Sequence, residues 1–441
     1  MNDLPDNPWA ARFTELLDVT EIKHRATLTV PPLTGLNSLD IETAVNQLDT
    51  ALKAVFFPSS QCLSILCRWV GMAYAHCLTA YEDERKFIAG VYGVDAPLPS
   101  ISTPMCLTGW AGTGKSELIK AFRRILSDDF RSIVSADHSE FIFKAMWTIR
   151  VNARISCNEM LMTLSGINDA SKDLIRACRK RGYRDGVAIV FADEFQFATQ
   201  SASANAVVTR MLLSLAYLGL PCVFAANFSL LNRLLKRPHE DQDRLLADPV
   251  VLLPEAANSA DWKGLVMAQK AVAPDVFIFN EDDDADALHR YSAAIKRDEV
   301  RLLLIAYRIG RSREGKVTRK EIDLAYRSPD FAFYRKNIEI IARQIIENRR
   351  QKGHDDLWCP IELPKTVQTE FTEQVQKGRS ARVADAKLRS SLTAEEKKIL
   401  NSIETPRKHQ STQGAVFDLK RKKPLTADEL KANANWYRDS L

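Results

Sequence analysis

Eight consecutive residues, Gly109-Trp110-Ala111-Gly112-Thr113-Gly114-Lys115-Ser116, restrict the folds open to this chain more than any other feature. They follow a short apolar run, 104–107, and lead into an amphipathic stretch over 116–127 that reads as a helix. Three glycines between a strand and a helix let backbone N–H groups converge on an anion without a side-chain clash, and the helix adds its positive N-terminal end. The spacing matches G-x-x-x-x-G-K-[ST] in full. All eight residues are therefore expected to cradle the phosphates of ATP, with Lys115 reaching the β- and γ-phosphates and Ser116 ligating Mg²⁺.

Such a site needs an acidic partner on a neighbouring strand. The run 187–192 is apolar throughout and emerges as Asp193-Glu194. Asp193 is expected to hold Mg²⁺ through water, and Glu194 to orient and deprotonate the attacking water, which points to hydrolysis as the default chemistry. A third apolar run, 221–226, ends at Asn227, placed to touch the γ-phosphate or the water, to cap the helix that follows, or both. Just beyond it lies a segment dense in arginine, 233–244. Arg237 and Arg244 are the candidates for an arginine that stabilises transition-state charge in a neighbouring subunit.

From 104 to about 254, apolar strands alternate with amphipathic helices, the pattern of a parallel sheet covered on both faces. Residues 285–349 read as helices only. From 360 onward charged and polar residues dominate; 365–441 hold 16 Lys+Arg against 10 Asp+Glu, so the chain's net charge of +5 resides in its tail. These shifts divide the chain into an N-terminal arm (1–54), a nucleotide-binding core (55–260), a helical lid (261–355) and a basic C-terminal extension (356–441). The longest uncharged stretch, 211–232, is split by Gly219 and Pro221 and reads as a buried helix followed by a buried strand, not a membrane span. The opening MNDLPDNPW is acidic where a signal peptide is basic, so a cytoplasmic location is expected. The eight cysteines show no C-x-x-C pair and read as small buried hydrophobes.

The order of phosphate loop, Asp-Glu strand, Asn strand, arginine cluster and helical lid resembles an AAA+ ATPase. Within the lid, 297–305 is similar to the sensor-2 segment of the origin-recognition branch, a resemblance that implies Arg301 as the γ-phosphate sensor. The stretches 134–141, 225–246 and 317–326 resemble the TnsC/TniB transposition regulators, with a departure at Asn152-Ala153-Arg154. The resemblance covers about 55–350.

It implies an α/β fold and a homo-oligomer that assembles as a ring or helical filament on duplex DNA, in association with the nucleoid. In that state it would receive a signal from a TniQ/TnsD-type target selector and activate transposase subunits, with hydrolysis driving disassembly. Contacts to DNA would be mainly to the phosphate backbone. Lys144, Arg150, Arg154 and Lys172 are the candidate contacts by position, with Arg421-Lys422-Lys423 of the tail as a second basic cluster. Two alternatives stand beside this reading: a replication-type helicase loader or origin-binding ATPase, and a nucleotide-gated scaffold without useful turnover.

Overall fold

In a computed structural model of the chain, the structure describes residues 7–126, 130–132, 140–168, 173–196, 204–280 and 282–362, with Glu373, Ser391 and Thr393 beyond them. The chain divides into two compact units, Met1–Ser390 and Ser391–Leu441. Most of the basic extension, including Arg421-Lys422-Lys423, lies outside the described residues, as does Lys172.

The N-terminal arm is helical and packed. Helices α1 (Pro8–Ala11), α2 (Val19–Ala26) and α3 (Ile41–Ala54) start at Asn7, Asp18 and Asp40, each of whose side chains accepts a first-turn N–H. Trp9 of α1 is fully buried against Tyr81, Phe87 and Phe143. Helix α4 (Ser60–Ala80) carries Trp69, which packs edge-on to Phe122 and Phe191 and so ties α4 to the elements that bear the phosphate loop and Asp193. A shorter helix, α5 (Glu84–Tyr92), completes this layer.

The sheet begins at β1 (Met105–Thr108), followed by helix α6 (Lys115–Ile125). A small antiparallel hairpin, β2 (Phe130–Ser132) and β3 (Phe141–Phe143), which the periodicity gave no sign of, precedes β4 (Met146–Arg150). Helices α7 (Cys157–Ser165) and α8 (Leu174–Arg184) lead to β5 (Ile189–Asp193), and α9 (Ala204–Ala216) to β6 (Cys222–Ala225). Helices α10 (Phe228–Leu234) and α11 (His239–Leu245) then lead to β7 (Asp248–Val251). The five-stranded sheet runs β4-β5-β6-β1-β7, all parallel. Strands β1 and β6 and the first four residues of β5 are buried, and this double-sided burial is why they read as unbroken apolar runs. Strand β7 carries Asp248 and Pro249 on the sheet edge, the one place where a proline costs no ladder bond, and for that reason it has no strand signature.

After the sheet come helices only: α12 (Ala260–Lys270), α13 (Asp283–Ser292), α14 (Lys296–Arg311), α15 (Arg319–Arg327) and α16 (Ala332–Glu347). The result is an α/β architecture: a parallel sheet flanked by helices, with a phosphate loop after its inner strand β1, followed by a helical lid. The segment after α16 returns to the sheet: the Trp110 indole N–H donates to Leu357 O at 2.9 Å, and the Asn232 amide to Asp355 O at 2.9 Å. No helix among the described residues is long and apolar enough to cross a membrane, and the 211–232 stretch breaks between α9 and β6 as its Gly and Pro require.

Candidate functional site

Because every strand of the sheet is parallel, the carboxyl ends of β1, β5 and β6 open onto one edge, the usual place for a ligand in such sheets. There the phosphate loop, Asp193-Glu194 and Asn227 line a single cleft of about 730 Å³. The loop owes its shape to its glycines. Gly109, Gly112 and Gly114 have φ of 151°, 93° and 105°. A Cβ at Gly109 would stand 2.6 Å from Leu252 O, and one at Gly112 would stand 2.9 Å from Arg297 Cβ. A loop built in this way forms a concave, anion-binding surface at the head of α6.

Lys115 is buried, and its Nζ donates to the carbonyls of Gly109 (3.0 Å) and Trp110 (2.9 Å). Burial lowers its pKa to about 8 despite the nearby Glu194 and Asp193 carboxylates, so the ammonium is held where a phosphate would both pair with it and recharge it. Trp110 is sealed beneath the loop, edge-on to Phe228, and Thr113 Oγ1 donates to Trp110 O at 3.0 Å. Ala111 is exposed at the loop's tip. The Ser116 hydroxyl and the Asp193 carboxylate line the same cleft, a hard-oxygen pair of the kind Mg²⁺ takes alongside phosphate oxygens.

Glu194 is the one non-glycine of the site with a left-handed backbone, φ 60°. Its N–H donates to Asp193 Oδ1 at 2.8 Å, its carboxylate accepts from the Gln196 amide, and the Arg150 guanidinium lies 3.7 Å away. Asn227 stands at the N-cap position of α10, but its side chain makes no capping bond and lines the cleft instead.

Two basic residues of the lid, Lys296 and Arg297, line the cleft. Arg301, the residue expected there, is exposed and does not line the cleft. Arg297, one turn earlier on α14, does, and its N–H donates to Gly112 O at 3.2 Å. Helix α14 begins at Lys296 beside the loop and still lines the cleft at Val300, whereas Arg301 is exposed outside it. Arg237 and Arg244 do not line this cleft; each pairs with a carboxylate four residues away on the same helical stretch, Asp241 at 2.8 Å and Glu240 at 2.7 Å.

The expected DNA contacts do not form one patch. Lys144 precedes β4 and its N–H donates to Asp185 O at 2.8 Å, at the sheet edge away from the cleft. Arg150 ends β4, opposite Asp193 in register and beside Glu194. Arg154 is exposed in the following turn, where its N–H donates to Asn152 Oδ1 at 2.9 Å.

Sequence reasoning missed one wall altogether. Leu28 of the arm and Val55, Phe56 and Phe57 at the start of the core line the cleft together with Leu265, Gln269 and Val300 of the lid, making an apolar part of its wall. Leu28 and Phe56 are joined by a backbone bridge, and Arg124 of α6 lies over the Phe56 ring at 5.0 Å. The only signal was the run Val55-Phe56-Phe57, which looks like any helix exit until β1 is located.

No family model matches the chain, and no curated protein is similar to it. Solved structures similar to it include the Orc1 protein of Aeropyrum pernix in complex with DNA (16% identity, 68% of this chain and 84% of that one, TM-score 0.33). Others are katanin, from work on its self-assembly (15%, 68% and 96%, 0.36), and Cdc6p of Pyrobaculum aerophilum (10%, 68% and 95%, 0.36). Likeness at this level does not bear on function.

Proposed function

We propose that this chain is a DNA-associated ATPase and, more finely, a transposition regulator that oligomerises on target duplex DNA and links a target-selection protein to the transposase. The observation that carries the ATPase reading is the convergence of Lys115, Ser116, Asp193, Glu194, Asn227 and Arg297 on one cleft. The stretches that resemble TnsC/TniB regulators support the finer reading.

In this account the apolar end between arm and lid takes the base, and the glycine loop with Lys115 takes the phosphates. Ser116 and Asp193 would hold Mg²⁺, which would supply charge neutralisation on the phosphate oxygens. Glu194 accepts a proton from water as its oxygen attacks the γ-phosphorus and the bond to the β–γ bridging oxygen breaks, leaving ADP and phosphate. Asn227 positions that water, and Arg297 offsets charge on the γ-phosphate. Arg237 and Arg244 are the candidates to complete the site of a neighbouring copy. Arg150 couples the sheet edge to Glu194, and Arg154 is the exposed cation best placed for a DNA phosphate.

Electron microscopy of the full chain on duplex DNA, with a non-hydrolysable ATP analogue and without nucleotide, tests this reading. Rings or filaments only in the nucleotide sample are expected. Monomers that ignore DNA in both samples would contradict it, and co-purification with a helicase in place of transposase subunits would replace the transposition reading with a replication-type loader.

A further inference from the structure

Hydrolysis leaves a buried amide of the cleft unused. Gln269, near the end of α12, is only 2% exposed yet lines the cleft. Its Nε2 donates to Glu299 Oε2 on α14 at 3.3 Å. Gln269 Oε1 and Glu299 Oε1 are both buried without a hydrogen-bond partner among the described residues. Buried acceptors are rarely left so, and an orphan beside a ligand cleft points to a donor that the ligand supplies.

Its position says which part of the ligand. Arg297 of α14 lies over Gly112 at the phosphate end. Glu299 and Val300 follow along the same helix, and Leu265 and Gln269 of α12 line the cleft with Val55, Phe56 and Phe57. Gly264 lets this wall close: a Cβ there would stand 2.4 Å from the Phe57 ring. Gln269 thus belongs to the apolar end, where a flat base fits.

We propose that Gln269, oriented by Glu299, reads the base edge, its Oε1 accepting a hydrogen bond from the exocyclic amino group of adenine as the lid closes on the nucleotide. This rests on the nucleotide-site reading above and deepens it. In the arrangement seen here Nε2 is committed to the Glu299 carboxyl, which leaves Oε1 as the acceptor the amide offers. Adenine offers a donor there; guanine and hypoxanthine offer a carbonyl, and two acceptors repel. Burial pushes the Glu299 pKa up to about 8, and a neutral acid still accepts through its carbonyl oxygen.

The test is calorimetric binding of ADP, GDP, inosine diphosphate and purine riboside diphosphate, which lacks the amino group, to the full-length wild type and to Gln269→Met. For the wild type, ADP is expected to bind roughly tenfold or more tighter than the other three. In Gln269→Met the ADP affinity should fall to that of purine riboside diphosphate, whose own affinity should not change. Equal binding of ADP and purine riboside diphosphate by the wild type would overturn the inference while leaving the nucleotide site standing, and needs no variant to fold. Equal weakening of both ligands in Gln269→Met would reduce the residue to a structural role. No binding of any of the four by the wild type would remove the nucleotide reading itself.

Discussion

Lys115 and Glu299 are titratable groups that burial pushes in opposite electrostatic senses, and each makes a prediction about pH. For Lys115 the folded value of about 8 lies below the ordinary 10.5, so between those limits the folded state releases a proton that the unfolded chain keeps. A bound phosphate restores the charge. Nucleotide affinity should therefore fall as pH rises above about 8, approaching tenfold per pH unit, with one proton taken up per nucleotide bound; calorimetry in buffers of different ionisation enthalpy measures this. An affinity flat from pH 7 to 9.5 would mean that Lys115 is not recharged by the ligand.

For Glu299 the folded value of about 8 lies above the ordinary 4.5, so the folded state holds a proton the unfolded chain has lost. Its contribution to stability is complete below about pH 4.5 and is lost as pH rises through about 8. Urea unfolding of the wild type and Glu299→Gln should show the variant gaining relative stability from pH 5 to pH 8.5, since a neutral amide has no proton to lose. A pH-independent difference between the two proteins would contradict this.

At the level of elements, the phosphate loop and the start of α14 act as one joint. Gly112 has a left-handed φ, and its missing Cβ leaves room for Arg297. Gly112→Val should cost about 1–3 kcal/mol in stability, read by thermal or urea unfolding, and weaken nucleotide binding more than tenfold. Arg297→Ala should reduce ATP affinity more than ADP affinity, whereas Arg301→Ala, exposed and outside the cleft, should leave both unchanged. Direct titration of the two nucleotides decides this; the reverse result would return the sensor role to Arg301.

The same joint shows what could be read from the residues alone. The loop, β1, β5 and β6 were legible because doubly buried strands and left-handed glycines each leave a distinct local pattern. Arg297 was not, because Arg297 and Arg301 stand four apart on one helix, and only the tertiary contact at Gly112 separates them. Strand β7 was hidden by Pro249 and its edge position. The arm's contribution to the cleft was hidden because Leu28 and Phe56 meet by a long-range bridge that no periodicity announces.

On the scale of the whole molecule, Lys144 and Arg154 flank the two ends of the edge strand β4, on the order of 20 Å apart for the rise of such a strand. Arg154→Ala should lower DNA affinity and the slope of its salt dependence by about one phosphate contact, while Lys144→Ala leaves both unchanged, as fluorescence anisotropy across a salt series would show. An equal effect of both would place the DNA path across the whole sheet edge.

In the proposed mechanism, hydrolysis in the cleft of Lys115, Ser116 and Asp193 depends on Glu194 as the base for water. The most direct measurement is steady-state phosphate release from ATP by the full chain with duplex DNA, compared with Glu194→Gln, with ATP binding measured on the same preparations. The account predicts that the wild type turns over and that Glu194→Gln loses roughly a hundredfold or more in rate while binding ATP at least as tightly. A Glu194→Gln protein that releases phosphate at the wild-type rate, or a wild type that binds ATP and never releases phosphate, would contradict it.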